Sequence, residues 1–264
     1  RCIMLEVKNI SKTFNPGTIN EKHALTNLSL SLTDGDFVTV IGGNGAGKST
    51  LLNAVAGVWP VDGGAVIIDG MDVTGMPEYK RAKYIGRVFQ DPMMGTAPNM
   101  QIEENLALAY RRGKKRGLKW GVTAAEREFY REKLATLGLG LEDRLTAKVG
   151  LLSGGQRQAL TLLMASLQTP KLLLLDEHTA ALDPATAQKV LELSDRIISE
   201  NKLTALMITH NMSDAIRHGN RLIMMDRGRI VLDISGEEKK RLTKADLLAR
   251  FAEKAGVQEE TDSV

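Results

Sequence analysis

Residues 42–49 read G-G-N-G-A-G-K-S, directly after the apolar run 37–41 and directly before the mostly apolar stretch 50–56. Glycines let the backbone turn tightly enough for several N–H groups to converge on phosphate oxygens at the positive end of the following helix. Lys48 adds a cation for the outer phosphates, and Ser49 offers a hydroxyl ligand for Mg²⁺. Glycine-rich strings also make ordinary turns, but the order of strand, loop and helix predicts a nucleoside triphosphate site.

A second phosphate-type signature begins at residues 152–156, which read L-S-G-G-Q. The following stretch is predicted to be helical from Arg157 through Leu167. Ser153 is placed to cap that helix, and the two glycines after it leave the first N–H groups uncovered, which makes an anion site. One nucleotide does not obviously need two such sites from one chain.

The order of these motifs resembles that of the nucleotide-binding subunits of ABC (ATP-binding cassette) transporters, from about Leu5 to about Ile234. In that family the serine–glycine signature of one copy faces the glycine loop of a second copy, with two ATP molecules between them. The resemblance therefore implies a homodimer, or a pair with a paralogous second ATPase. It also implies an α/β P-loop NTPase fold with a RecA-like core, an antiparallel β subdomain and an α-helical subdomain.

The resemblance also assigns the ATP-binding residues. Phe14 sits where the family stacks an aromatic ring on adenine, although a single Phe is more often a core residue. Asp183 matches a segment that crosses the dimer interface. The complete set expected to bind ATP is Phe14, Gly42, Asn44, Gly45, Ala46, Gly47, Lys48, Ser49, Thr50, Ser153, Gly154, Gly155, Gln156 and Asp183.

Two acids end the apolar run 171–175, which predicts a buried parallel strand with carboxylates at its carboxyl end. Open α/β sheets bind ligands at that end. In the resembled family Asp176 holds Mg²⁺ and Glu177 polarises the attacking water. In isolation the pair would also fit a solvated acidic turn.

Two further residues are assigned by the order of motifs alone. Gln90 matches the glutamine that touches Mg²⁺ or the attacking water, and His210 matches the histidine that contacts the γ-phosphate. The expected catalytic set is then Glu177, His210, Gln90 and Lys48, and the expected Mg²⁺ ligands are Ser49, Gln90 and Asp176. His178 departs from the pattern, because most family members carry proline after the glutamate; either a tolerated loop substitution or an influence on the pH dependence of hydrolysis would fit.

Composition agrees with this interpretation. The 264 residues are 43% hydrophobic, which leaves ample material for a core. We find no apolar stretch near the roughly 20 residues that span a bilayer, and the single cysteine, Cys2, cannot form an internal disulfide. The formal net charge of +3 is too small to argue for a nucleic-acid partner. We expect a soluble chain at the cytoplasmic face of the cell membrane.

The motifs also predict the organisation of one ABC ATPase domain across residues 1–264. Residues 1–90 and 153–235 would form the catalytic core with its β subdomain. Residues 91–152 would form the helical subdomain, with helices near 102–109 and 123–137. Residues 236–264 would hold a last helix, starting in the capping box at Thr243 and ending near Ala255, and a tail.

Two surface segments keep open alternatives. Residues 111–120 form the most basic stretch of the chain, which suits a solvated loop or a position near anionic lipids. Met93 and Met94 follow Gln90, in the region where the family receives a helix of a membrane subunit. Methionines suit such a docking surface and equally suit a core.

The sequence therefore predicts an ATPase that drives solute transport, with import and an amino-acid substrate as the narrower expectation. Its partners would be integral membrane permease subunits and an extracytoplasmic solute-binding protein. A soluble ABC ATPase of translation or DNA repair is the alternative, but those relatives usually carry two cassettes or a long coiled coil. A kinase or GTPase with the glycine loop alone would not need residues 152–156.

Overall fold

The computed structural model describes residues 2–114 and 121–261, and the side chains of residues 254–261 are left aside. Of the basic stretch 111–120, residues 115–120 lie outside the described residues. The strands are β1 (Ile3–Phe14), β2 (Lys22–Thr33), β3 (Phe37–Gly42), β4 (Gly63–Ile68), β5 (Met71–Asp72), β6 (Ile85–Val88), β7 (Leu172–Asp176), β8 (Ala205–Ile208), β9 (Arg221–Asp226) and β10 (Arg229–Ser235). The helices are α1 (Lys48–Ala56), α2 (Glu78–Arg81), α3 (Ile102–Tyr110), α4 (Ala124–Ala135), α5 (Gly154–Ser166), α6 (Pro184–Glu200), α7 (Met212–Arg217), α8 (Gly236–Arg241) and α9 (Lys244–Thr261), with a 3₁₀ turn at Val149–Leu151.

Contacts divide the chain into two compact units: Arg1–Met76 with Thr204–Val264, and Pro77–Leu203. The predicted helical subdomain, residues 91–152, falls within the second unit, and its boundaries stay a prediction. The mixture of sheets and helices confirms the α/β class.

The first unit contains an antiparallel sheet in the order β2-β1-β4-β5. On β2 the buried residues Leu28, Leu30 and Leu32 alternate with exposed serines, which is the period of a strand with one face on a core. Cys2 is exposed just before β1, and its carbonyl accepts a hydrogen bond from the Asp34 N–H at 2.9 Å.

The phosphate-loop strand lies in a second group of strands of the first unit, ordered β10-β9-β3-β8. β3 is parallel to both β8 and β9, and β9 pairs with β10 in an antiparallel hairpin. Residues 226–229 form the tight turn of this hairpin. Arg227 and Gly228 both have positive φ, as a two-residue hairpin turn of the primed type requires.

In the second unit, β6 and β7 form a parallel pair. The four leucines of β7 are all fully buried, which explains why the strand reads as a continuous apolar run. On α6 the buried stripe includes Val190, Leu191, Ser194, Ile197 and Ile198, at the spacing of a helix with one face on a core.

Two helix boundaries differ from the sequence predictions. The signature helix α5 begins at Gly154 rather than Arg157, because Ser153 caps it and both glycines join its first turn. The last helix α9 starts after the predicted capping box: the Asp246 N–H donates to Thr243 Oγ1 at 3.1 Å and Asp246 Oδ2 accepts from the Thr243 N–H at 3.0 Å. It continues to Thr261 rather than ending near Ala255.

Candidate functional site

The glycine loop joins β3 to α1 in the strand, loop and helix order predicted from sequence. Lys48 is the first residue of α1 and is 5% exposed. Its ammonium donates to the carbonyls of Gly42 and Gly43, at 2.7 and 3.1 Å. The lysine is thus folded over the loop that it follows, where it can serve a phosphate held by the loop amides.

Steric crowding is a second reason why glycine is required in the loop, and sequence reasoning missed it. A Cβ on Gly47 would lie 2.5 Å from the Ala24 carbonyl oxygen, and a Cβ on Gly228 would lie 2.6 Å from the same oxygen. The Gly228 N–H also donates to the Ala46 carbonyl at 3.0 Å. The backbones of β2 and of the β9–β10 hairpin therefore press directly on the phosphate loop.

Phe14, the expected adenine platform, ends β1 and is held on two sides. Trp59 forms a T-shaped pair with it, with ring centroids 5.0 Å apart. The Lys12 ammonium lies 5.6 Å from the Phe14 ring centroid and 3.1 Å from Asp62 Oδ1. The hydrogen bond from the Thr13 N–H lowers the pKa of the Asp62 carboxyl. Lys12 and Asp62 therefore form an ion pair at neutral pH. Sequence reasoning missed Trp59; the available signal was an aromatic residue soon after the loop helix.

Lys22 was also missed. It is the register partner of Phe14 across β1 and β2, so the two side chains share one face of the sheet. Its ammonium lies 3.7 Å from the position that a Cβ on Gly45 would occupy. The end of this hairpin therefore places a second lysine beside the phosphate loop, which only the strand register reveals.

His210 lies just beyond β8, at the start of α7, and is exposed. The next residue, Asn211, caps α7 by accepting from the Ser213 and Asp214 N–H groups. At the other end of α7 the buried Lys239 donates to the carbonyls of Ile216, His218 and Gly219. A cation at a helix C-terminus is stabilising, so the helix that follows His210 is fixed at both ends.

Asp176 and Glu177 lie where predicted, at the carboxyl end of β7 in the second unit. The Arg87 guanidinium on β6 approaches Asp176 Oδ2 at 3.5 Å and lies 4.6 Å from the Phe89 ring centroid. Asp176 therefore has a cationic neighbour. The backbone of Glu177 has φ +47, in the left-handed region that residues other than glycine seldom adopt.

His178, the residue after Glu177, is buried. It is 1% exposed, and its Nε2 lies 2.9 Å from Ser194 Oγ on α6. Gln90 follows β6 and is exposed. The residue before it is fixed, since the buried Gln158 side chain donates to the Phe89 carbonyl at 2.9 Å.

The signature residues form the first turn of α5. Ser153 Oγ accepts from the Gln156 N–H at 3.2 Å, and Gln156 Oε1 accepts from the Ser153 N–H at 3.1 Å, a reciprocal capping box. A Cβ on Gly155 would overlap Thr186 of α6, so close helix packing also requires that glycine. Asp183 caps α6, and its hydrogen bonds from Thr186 lower the pKa of its carboxyl.

The expected site residues are thus divided between the two units. The first unit holds Phe14, residues 42–50 and His210, and the second holds Gln90, residues 153–156, Asp176, Glu177 and Asp183. Within the described residues we find no helix long and apolar enough to span a membrane.

Comparison with known proteins places this arrangement in one family. The family model described as ABC transporter matches residues 25–180. The chain is 46% identical over 249 residues to the tyrosine transport ATP-binding protein of Clostridioides difficile, covering 94% of this chain and 98% of that protein. It is 33% identical over 252 residues to the methionine import ATP-binding protein MetN of Mannheimia succiniciproducens, covering 94% of this chain and 70% of that protein.

A solved structure is similar to this chain as well. The dimeric structure of a post-hydrolysis state of an ATP-binding cassette bound to ADP and Pi has a TM-score of 0.74 and 30% identity, over 88% of this chain and 98% of that one. The chain therefore belongs to the ABC transporter family. It is an ATP-binding subunit of such a transporter and hydrolyses ATP to drive transport. The alternative of an ABC ATPase in translation or DNA repair is not favoured, since the matched relatives are named for transport.

Proposed function

We propose that this subunit powers the import of an amino acid, with tyrosine as the first candidate. The observation that carries the substrate class is the 46% identity, over nearly the full length of both chains, to a tyrosine transport ATP-binding protein. The partners would be integral membrane permease subunits and an extracytoplasmic solute-binding protein, with this chain on the cytoplasmic face. The solute itself is selected by those partners, so the substrate is tested with them present.

We further propose that two copies hold two ATP molecules between the glycine loop of one and the signature of the other. Two features support this arrangement. The chain carries two anion-type helix starts, at α1 and at α5, and the matched cassette bound to ADP and Pi is dimeric. Phe14 would stack on adenine, the loop amides and Lys48 would bind phosphates, and Ser153 to Gln156 would complete the partner's site.

The donor chemistry fits Mg²⁺. Ser49 offers a hydroxyl, Gln90 an amide oxygen and Asp176 a carboxylate, and Mg²⁺ prefers oxygen ligands with some waters retained. When bound, the ion would neutralise charge on the β- and γ-phosphates. The Arg87 guanidinium lies 3.5 Å from Asp176 Oδ2 and would help to hold that carboxylate in place.

The chain's own residues then account for hydrolysis. Glu177 would accept a hydrogen bond from a water, orient the water oxygen toward the γ-phosphorus and take up the proton that the water loses. As the new P–O bond forms, the bond to the β-phosphate oxygen breaks, and ADP leaves with the electron pair of that bond. Lys48 and His210 would stabilise the charge on the transferred group, so catalysis would be mainly positioning and electrostatics.

Glu177→Gln tests the engine, with Glu200→Gln as its control, because Glu200 is an exposed carboxylate at the end of α6. We expect Glu177→Gln to bind Mg²⁺-ATP, dimerise with it and lose about 10²–10⁴-fold in kcat, the usual contribution of a general base. The Glu200→Gln variant should hydrolyse normally. Normal hydrolysis by Glu177→Gln would refute the role of Glu177, and a monomer in Mg²⁺-ATP would refute the paired sites.

Transport is tested in proteoliposomes that contain the cognate membrane subunits and solute-binding protein. We expect ATP-dependent uptake of tyrosine into the compartment on the side of this subunit, and much less uptake of methionine or spermidine. Uptake of another solute in preference to tyrosine would correct the substrate, and movement in the opposite direction would correct the assignment as an importer.

A further inference from the structure

The backbone of Glu177 is held in an unfavourable conformation. Its φ of +47 costs an ordinary side chain free energy, and such residues persist only when the surrounding structure fixes them. One local contact closes the turn, since the Ala180 N–H donates to the Glu177 carbonyl at 2.9 Å. That bond joins the first and last residues of the turn 177–180. The second residue of the turn, His178, is held by a separate contact.

His178 is fixed by a buried serine on a different element. Both His178 and Ser194 are 1% exposed, and His178 Nε2 lies 2.9 Å from Ser194 Oγ. The Ser194 hydroxyl donates its one proton to the Val190 carbonyl at 2.8 Å. The serine oxygen therefore lies within hydrogen-bond distance of both the α6 backbone and His178 Nε2.

The serine is itself well anchored. Ser194 lies on the buried face of α6, a helix that begins at the cap Asp183. The same segment that carries Glu177 therefore connects to α6 twice, once through the chain into Asp183 and once through the His178 side chain. A turn held at two points has little freedom to relax from the conformation that it adopts.

We infer that His178 is a positioning residue, whose hydrogen bond to Ser194 holds the turn that aims the Glu177 carboxylate. This inference rests on the proposed role of Glu177 in hydrolysis. A proline at this position would restrict the turn through its ring; here a side-chain hydrogen bond to α6 provides the restriction instead.

Four variants test the inference: His178→Leu, which fills the space without a hydrogen-bonding group; Ser194→Ala, which removes the hydroxyl; the double variant; and His178→Gln, which keeps a hydrogen-bonding side chain. We expect each of the first two to lower kcat on the order of 10-fold, below the ~10²-fold that a 1 Å misplacement can cost. The double variant should lose no more than either single, and His178→Gln should recover part of kcat. Mg²⁺-ATP affinity and KM should change by less than about 2-fold, because the phosphate loop is untouched.

Ser166→Ala is the matched control. Ser166 is also a buried helix serine that donates to carbonyls of its own helix, Leu162 and Leu163, at 3.0 Å each. Its loss should lower the thermal unfolding midpoint about as much as Ser194→Ala while leaving kcat unchanged.

Three outcomes would overturn the inference: unchanged kcat in Ser194→Ala, additive losses in the double variant, or an equal kcat loss in Ser166→Ala. Failure of the proposed function is separately visible. If Glu177→Gln hydrolyses normally, the role of Glu177 is wrong; if it is inactive while the His178 and Ser194 variants retain full kcat, only the positioning inference is wrong.

Discussion

Trp59 is the residue whose contact gives the expected adenine platform a defined orientation. Edge-to-face aromatic pairs contribute about 0.5–1.5 kcal/mol beyond the apolar area they bury. The two ring planes stand at 81° to each other, which fixes the tilt of the Phe14 ring. Local contacts of this kind determine how precisely a motif residue acts.

Replacing Trp59 by leucine should raise the Kd for ATP roughly 2- to 10-fold, the equivalent of losing one aromatic pair. Inorganic tripolyphosphate, which has no base, should bind as before. Isothermal titration calorimetry with both ligands measures the difference, and Trp59→Phe serves as the control that keeps an aromatic edge. An equal loss for both ligands would mean that the substitution disturbs the phosphate loop instead.

Tyr130 on α4 carries a buried hydroxyl group that lowers the stability of the fold. Its side chain is 0% exposed, and within the described residues its hydroxyl has no hydrogen-bond partner. Burial raises the pKa of Tyr130 to about 12, so the hydroxyl stays neutral at any working pH.

The substitution Tyr130→Phe should therefore raise the free energy of unfolding by about 1 kcal/mol, because an unpaired buried hydroxyl is removed and the ring is kept. Urea denaturation provides the measurement. Tyr79→Phe, at a side chain that is 75% exposed, should change nothing. A destabilised Tyr130→Phe would indicate a bonded hydroxyl.

At the scale of elements, the phosphate loop depends on a hairpin far from it in sequence. The β9–β10 turn contacts the loop through the Gly228 N–H and leaves no room for a Cβ. The hairpin therefore supports the phosphate loop from behind. Gly228 is needed both because it has a positive φ and because a side chain would not fit there.

Gly228→Ala should lower the free energy of unfolding by more than about 1 kcal/mol, because the added Cβ would overlap the Ala24 carbonyl of β2. It should also weaken ATP binding, since a hairpin displaced from β2 loses its hydrogen bond to the Ala46 carbonyl. Gly35→Ala is the matched control. Gly35 has a comparable φ of +81, but a Cβ there meets nothing within 4 Å. It should show the φ cost alone, with ATP affinity unchanged. Equal effects of the two variants would remove the steric argument.

The sequence predicted secondary-structure elements and helix caps well where contacts between neighbouring residues determine them. The glycine loop, the Ser153 cap, the Thr243 capping box and the strand before Asp176 each follow from neighbouring residues. Contacts between elements were not predictable in this way. The His178 bond spans 16 residues to a helix face, and the pairing of Lys22 with Phe14 depends on register shifts within the hairpin.

Helix ends were predicted least accurately, because they too depend on contacts between elements. Glycines at 154 and 155 argue against an early helix start by propensity alone, yet the packing of α5 against α6 at Thr186 requires a residue without a side chain. Tertiary contact therefore overrides propensity at the signature. The roles assigned to Gln90, His210 and Asp183 in catalysis and dimerisation stay predictions.

At the scale of the whole molecule, nucleotide binding is linked to stability. A ligand that binds only the folded chain at 100 times its Kd adds about 2.7 kcal/mol to the free energy of unfolding. A chain of this length gains about 2–4 °C in Tm per kcal/mol.

A non-hydrolysable ATP analogue with Mg²⁺ should therefore raise the Tm by about 5 °C or more at saturation, in a thermal melt that follows ligand concentration. The Lys48→Ala variant should lose most of that shift, since the ammonium over the loop is gone. Lys189→Ala, at an exposed position on α6, should keep it. A full shift in Lys48→Ala would place the triphosphate elsewhere.

Cys2 offers a practical route to motion in the assembled transporter. It is the single cysteine of the sequence, it is exposed, and the backbone beside it is tied to the turn before β3 through Asp34. A fluorophore or spin label attached there needs no engineered thiol and sits on a fixed point of the chain. In an assembly with two copies it would report one distance, which can be followed through a cycle of nucleotide binding and release.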